Sequence, residues 1–225
     1  KELLQQPRLS RPSPFWTIDP IDGTQGFLRQ EHGQYAVCVA YLDADGRPLL
    51  SVVSAPRLDQ QGLLMYAVRG HGCFSCPMPT EDKPLTIKDL VGFTKLSVDP
   101  HNNIMCVSYE ESHSNQPLVK HVTASVNLEL FKVESQVKYM MVAMGTAIGY
   151  LRAPRVGYKE KIWDHAPGLL LVTEAGGFVT DQVGKEITFP MTGKVDDSVT
   201  AIVISGNAQI QKAIIDSIAI YNSTL

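Results

Sequence analysis

Trp16-Thr-Ile-Asp-Pro-Ile-Asp-Gly-Thr-Gln-Gly-Phe27 sets two carboxylates, Asp19 and Asp22, three residues apart. Pro20 fixes one φ angle between them, and Gly23 permits a tight turn directly afterwards. Carboxylates with a backbone carbonyl between them are the donors that hard divalent cations select. Asp19, Asp22 and the carbonyl of Ile21 are therefore candidate metal ligands. The N–H groups of the Asp22-Gly23-Thr24 turn can receive a phosphate. Two aspartates beside Pro and Gly also serve as plain turn formers, and this stretch alone does not separate the two readings. A third acid does, in Ile162-Trp-Asp-His-Ala-Pro-Gly168. Asp164 converging on Asp19 and Asp22 would make three carboxylates repel one another unless a cation neutralised them.

Asp19-Pro-Ile-Asp-Gly-Thr24, together with Ile162-Trp-Asp-His-Ala-Pro-Gly168 and Glu174-Ala-Gly-Gly177 in that order, resembles the signatures of the lithium-sensitive, magnesium-dependent phosphatases, the inositol monophosphatase superfamily. Gly26-Phe-Leu-Arg29 and Tyr158-Lys-Glu-Lys-Ile-Trp-Asp164 resemble one branch, the 3'(2'),5'-bisphosphate nucleotidases. The likeness runs from about Phe15 to Ile204. It implies Mg²⁺ held by Asp19, Ile21, Asp22 and Asp164. It also implies a catalytic pair, Asp22 and Thr24, the hydroxyl of Thr24 orienting an attacking water, and hydrolysis by direct in-line displacement with no protein nucleophile.

The same resemblance extends to the substrate. Glu110-Glu-Ser-His-Ser114, Glu134-Ser-Gln-Val-Lys-Tyr139 and Tyr150-Leu-Arg152 are similar to three segments of the nucleotidase branch. Carried over, Gly23, Thr24, His113, Ser135, Lys138, Arg152 and Asp164 contact the substrate, a small-molecule nucleotide bisphosphate. A second phosphate needs cations away from the metal, and Lys138 and Arg152 supply charge-assisted hydrogen bonds. Without that context, both cations read as solvated surface charges and His113 as a loop histidine. The expected reaction is removal of the 3'-phosphate from adenosine 3',5'-bisphosphate, and of the same group from 3'-phosphoadenylyl sulfate, in sulfur assimilation. An inositol phosphate phosphatase, and a relative that binds nucleotide without turnover, are the alternatives. The family also carries an upstream Gly-Glu-Glu or Gly-Glu-Asp motif and a water-activating aspartate. Neither pattern occurs in these 225 residues, where Glu2 is the only early acid, so the stretch reads as N-terminally incomplete and is expected to show little activity alone.

Composition is that of an ordinary soluble globular protein. Hydrophobic residues make up 44% and charged residues 19%, enough for a sizeable core. The net charge of -3 argues against a broad nucleic-acid surface. No apolar run approaches the length of a membrane span, and the expected location is cytoplasmic. Cys73-Phe-Ser-Cys76 is a lone pair without a second, which points to reduced thiols rather than a metal or redox centre. The histidines show no metal-ligand spacing on one helix. His165 is expected to point away from Asp164, as consecutive helical residues do.

The fold expected is α/β, an α+β layered sandwich like that of inositol monophosphatase. Residues 1–100 would form a metal-motif half on an antiparallel sheet, and residues 101–225 a mixed α/β substrate half, with a soft boundary near Pro100. In the first half, strands are expected over Phe15–Asp19, Gln34–Leu42, Pro48–Ala55 and Leu63–Val68. Turns fall at Asp43-Ala-Asp-Gly46 and Gly70-His-Gly72, and a short edge strand near Leu85–Lys88. In the second half, strands are expected over Ile104–Tyr109, Phe131–Glu134, Ile148–Leu151 and Ala201–Ser205. Helices are expected over Leu118–Leu130, Gln136–Met144, Asp164–Ala175 and Ala208–Ile220, the third with Asp164 at its N-cap.

Overall fold

The computed structural model of the chain describes residues 13–29, 34–78, 92–109 and 114–224. Strands β1 (Phe15–Asp22), β2 (Ala36–Leu42), β3 (Pro48–Ala55), β4 (Leu63–Val68), β5 (Gly72–Pro77) and β6 (Thr94–Lys95) form one antiparallel sheet in chain order. The tight turns between them follow the expected glycines: Gly46, Gly70 and Gly72 all have positive φ. Burial alternates along β2, placing Ala36, Cys38, Ala40 and Leu42 on the inner face. The Leu85–Lys88 strand expected from sequence lies outside the described residues, as do residues 1–12.

The second sheet has the order β10-β11-β9-β7-β8 and is mixed. Strand β7 (Ile104–Val107) pairs in parallel with β8 (Glu129–Lys132) and with β9 (Gly149–Arg152). Strands β9, β11 (Ile202–Ser205) and β10 (Phe178–Asp181) run antiparallel. The change of sheet falls between Lys95 and Ile104. Helices α3 (Val137–Ala143) and α4 (Ala166–Glu174) lie between the two sheets, with α4 packed on β2 to β5 and on β10. Helices α2 (Gln116–Val126) and α5 (Ala208–Ser223) pack on each other, and with Met105, Leu151 and Val203 they form a separate buried cluster on the far face of the second sheet. A larger buried cluster runs through both sheets, joining Val53 and Met65 to Leu171, Tyr150 and Ile204.

Several element boundaries move, two of them together. The helix expected over Leu118–Leu130 begins earlier, where the Asn115 side chain caps the Leu118 N–H (3.3 Å), and stops at Asn127 in the left-handed conformation. Residues 129–132 are thereby released to β8, which starts two residues before the expected Phe131. A short helix, α1 (Thr24–Arg29), and strands β5, β6 and β10 are additional to the sequence expectation; α1 is six residues long and β10 four.

One irregularity positions the site. Asp19 pairs with Cys38 and Asp22 with Ala36, so three residues of β1 span two of β2. In a regular strand, residues three apart face opposite sides of the sheet. The bulge absorbs one residue at Pro20-Ile21, where proline could not have donated a ladder hydrogen bond. Asp19 and Asp22 therefore both stand opposite inner-face residues, on the side where α3 and α4 pack.

Candidate active site

The β1–α1 loop is held by its own short-range bonds. The Ile21 N–H donates to Asp19 Oδ1 (3.0 Å), the Thr24 hydroxyl donates to the Ile21 carbonyl (3.1 Å), and the Phe27 N–H donates to the Gly23 carbonyl (3.0 Å). Gly23 has φ 81°, and a Cβ there would stand 2.9 Å from Ser135 Cβ and 3.0 Å from the Gln34 carbonyl. Glycine is required both for the turn and for the close approach of the Ser135 segment. Ser135 is itself left-handed at φ 59°, an uncommon conformation for serine that the packing against this loop imposes.

Asp164 arrives from the other end of the chain. It does not cap α4 as expected from sequence. A single 3-10 turn at Ile162–Asp164 precedes the helix, the α4 N-cap position belongs to His165, and Asp164 Oδ2 instead accepts from the Lys161 N–H (3.3 Å). Pro167 follows in the first turn of α4, where its missing N–H costs little. Asp19, Asp22 and Asp164 each place a carboxylate oxygen within 4.8 Å of the others. Burial raises the carboxyl pKa of all three. Asp22 is pushed up to about 7, with Asp164 and Asp19 adding to the effect and Lys138 and the Gln136 N–H opposing it. An all-oxygen donor set whose charges are this poorly compensated fits a hard divalent cation.

These groups line a cavity of about 350 Å³ whose remaining walls are buried and polar. Lys138 is 4% exposed, donates to the Val133 carbonyl (3.3 Å) and lies 5.2 Å from the centre of the Tyr150 ring. Burial lowers its pKa, against the attraction of Glu134 and Asp22. Arg152 Nε donates to Glu160 Oε1 (2.7 Å), with side chains only 15% and 5% exposed. Neither cation is a solvated surface charge. His165 links Glu160 to Tyr139, its Nε2 lying 2.8 Å from Glu160 Oε2 and its Nδ1 2.9 Å from the Tyr139 hydroxyl. A carboxylate only accepts, so the Nε2–H donates to Glu160, and with the ring neutral Nδ1 accepts a hydrogen bond from the Tyr139 hydroxyl. Burial alone would raise the Glu160 carboxyl, but His165 and then Arg152 bring it down to about 2.

Of the residues nominated from sequence, Asp19, Ile21, Asp22, Gly23, Thr24, Ser135, Lys138, Arg152 and Asp164 all line this one cavity; His113 lies outside the described residues. His165 corrects an expectation. Because the 3-10 turn separates it from Asp164 geometrically, its ring does not point away, and Glu160, Asp164 and His165 also bring ligand-type atoms within 4.8 Å of one another. Sequence reasoning missed Glu160, His165 and Tyr139 as wall residues. Their only signal was position inside or beside the motif segments. The four cysteines are free and buried, and burial raises their thiols, which keeps them protonated.

A model of the inositol monophosphatase family matches residues 3–221. The chain belongs to the inositol monophosphatase family. Among curated relatives it is 38% identical over 188 residues to a 3'(2'),5'-bisphosphate nucleotidase of Schizosaccharomyces pombe, covering 77% of this chain and 51% of that protein. It is 33% identical over 218 residues to the enzyme of the same name from Dictyostelium discoideum, covering 93% of this chain and 63% of that protein. The chain thus spans between half and two thirds of these relatives. Solved structures share the fold: CysQ from Bacteroides thetaiotaomicron, a bacterial member of the family, has a TM-score of 0.63 at 22% identity over 87% of this chain and 71% of its own. SaIMPase-II bound to 2'AMP has a TM-score of 0.66 at 19% identity over 96% of this chain and 73% of its own. This family is metal-dependent, and the layered α/β architecture with an antiparallel sheet followed by a mixed one is that of its members. No helix among the described residues is long and apolar enough to cross a membrane.

Proposed function

We propose that this chain carries the active site of a Mg²⁺-dependent phosphatase that removes the 3'-phosphate of adenosine 3',5'-bisphosphate. The observation that carries the reading is the convergence of Asp19, Asp22 and Asp164 in a cavity also walled by Lys138 and Arg152. The names of the bisphosphate nucleotidase relatives and of the 2'AMP-bound neighbour support a nucleotide as substrate.

In this reading Asp19, Asp22, Asp164 and the Ile21 carbonyl hold the metal, which when bound supplies Lewis acidity and a water of lowered pKa. The chain's own residues do the rest. The Thr24 hydroxyl donates its hydrogen to the Ile21 carbonyl, which leaves its oxygen free to accept from and orient the attacking water. The Gly23-Thr24 turn and Ser135 receive the scissile phosphate. Lys138 and Arg152 neutralise the second phosphate, Arg152 being held in orientation by Glu160. Because both cations are already desolvated and fixed, little ordering remains when the substrate enters.

Release of inorganic phosphate from adenosine 3',5'-bisphosphate, measured with and without Mg²⁺ and beside inositol 1-phosphate, tests the proposal. Faster turnover of inositol 1-phosphate would transfer the assignment to the inositol phosphate reading. Calorimetric binding of the nucleotide with no phosphate release would favour a binding role alone.

A further inference from the structure

We propose that Gln136 is the positioning residue that sets Asp164 against Asp22, an inference that rests on the metal-dependent phosphatase reading. Gln136 is 1% exposed, and every polar atom of its side chain is engaged. Its Nε2 donates to the Trp163 carbonyl (2.9 Å), and its Oε1 accepts from the Gly168 N–H (2.7 Å). Those two backbone groups bracket Asp164, one residue before it and four residues after. Its own backbone N–H donates to Asp22 Oδ2 (2.5 Å). One residue therefore touches all three segments that build the site: the β1–α1 loop through Asp22, the start of α3, and the 3-10 turn with the first turn of α4.

The chemistry of the side chain fits this task and few others. The clamp needs a donor facing a carbonyl and an acceptor facing an N–H, and a primary amide presents both on one planar group. The Gly168 N–H is one of the donors that the first turn of α4 leaves without a helical partner, and the Trp163 carbonyl lies in the 3-10 turn before it; both need partners. Gly168 itself is packed so closely that a Cβ would fall 2.3 Å from the Tyr139 ring, which fixes how near α4 comes to α3. The amide spans the gap this contact leaves. The backbone bonds of Asp164 stay within its own turn, its Oδ2 accepting from the Lys161 N–H (3.3 Å) and its N–H donating to the Lys161 carbonyl (3.2 Å), so the Gln136 side chain is what ties the backbone on both sides of Asp164 to the start of α3. Loosening the clamp would spread the carboxylates and weaken metal binding by about 10- to 100-fold, the effect usual for groups that orient metal ligands.

Mg²⁺ titration of the metal-free protein by calorimetry reads this directly, with folding checked by circular dichroism. Gln136→Met, similar in size and without either hydrogen bond, is expected to raise the Mg²⁺ Kd about 10-fold or more. Ile214→Val, a core change in the far cluster around α5, is expected to lower the melting temperature and leave the Kd unchanged. A wild-type Kd in Gln136→Met overturns the proposal. Should Gln136→Met fail to fold, Gln136→Glu decides: its added charge alone would tighten Mg²⁺ binding, whereas loss of the donor to Trp163 weakens it. Weaker binding supports the positioning role, and unchanged or tighter binding overturns it. If the unmutated protein bound no Mg²⁺ at all, the phosphatase reading itself would fail.

Discussion

The acidic and the cationic walls of the cavity are built in opposite ways. The Asp19–Thr24 wall is a loop shaped mainly by bonds two to four residues long, from Asp19 to Ile21, from Thr24 to Ile21 and from Phe27 to Gly23, with the Gln136 N–H on Asp22 as its long-range tie. Its side chains are half-buried or exposed. The opposite wall, Lys138, Tyr139, Arg152, Glu160 and His165, is almost wholly buried, and its bonds join α3 to the segment before α4 and to β9. A local wall can exchange its ligand with water around it and lose little structure. A buried network of charges is costly to break at any one member, because the partner left behind stays desolvated.

That contrast orders the expected effects of substitution. Asp22→Asn or Asp164→Asn removes a carboxylate from the cluster while the fold persists. Phosphate release is expected to fall about 10³-fold, the equivalent of the several kcal/mol that a bound metal contributes to transition-state stabilisation, and calorimetry should find Mg²⁺ binding lost. Melting temperatures should hold or rise, because metal-free repulsion is relieved. A fall in melting temperature like that of a core mutant would erase the distinction between the walls.

Substitutions on the cationic wall should be smaller in activity and selective in substrate. Lys138→Met or Arg152→Met is expected to lower kcat/KM for adenosine 3',5'-bisphosphate by about 10- to 100-fold, the value of one charge-assisted hydrogen bond, and to change turnover of a simple phosphate monoester much less. Equal losses on both substrates would mean these cations do not meet a second phosphate. Gly168→Ala probes the same wall through stability: a methyl group driven into the Tyr139 ring is expected to cost about 1–3 kcal/mol in urea unfolding.

The two walls should also respond to pH with opposite sign. Asp22 has its pKa raised by burial from the ordinary carboxylate range to about 7. Between about pH 4 and 7 the folded, metal-free protein keeps a proton that the unfolded chain has lost, so this group's contribution to stability falls as pH rises through that window. Added Mg²⁺ should therefore stabilise progressively more toward pH 7 and release protons on binding. Glu160, held down to about 2, contributes stability that is complete above its unfolded value near 4.5 and is lost as pH falls toward 2. Glu160→Gln should remove the acid-side dependence and leave the neutral-side one. Unfolding curves at a series of pH values, with and without Mg²⁺, resolve both.

Residues 15–24 were legible because their chemistry is local: Pro, Gly and paired acids state a turn and a ligand set in one short stretch. The meander of β1 to β4 was legible for the same reason, through β-branched and aromatic content and glycine turns. Elements whose ends depend on competition were less so. The α2 terminus was decided by Asn127 turning left-handed, which freed residues 129–132 for β8 beside β7. The direction of His165 was misjudged because nothing in Trp163-Asp-His165 announces a 3-10 turn ahead of the helix. Lys138 and Arg152 read from composition alone as surface charges, since their partners Val133, Tyr150 and Glu160 lie in other elements and only packing brings those elements over them.

By itself the order of residues determined that acids, small turn formers and cations suited to a phosphate site occur in this chain, because side-chain chemistry and short-range backbone preferences are properties of a few neighbouring residues. Tertiary structure alone decided that the bulge at Pro20-Ile21 turns Asp19 and Asp22 to one face and that Asp164 meets them there. It also decided that Lys138 and Arg152 lose their water to Tyr150 and Glu160. Convergence and desolvation are set by which elements pack together, and no short-range rule of the sequence fixes how one element packs on another.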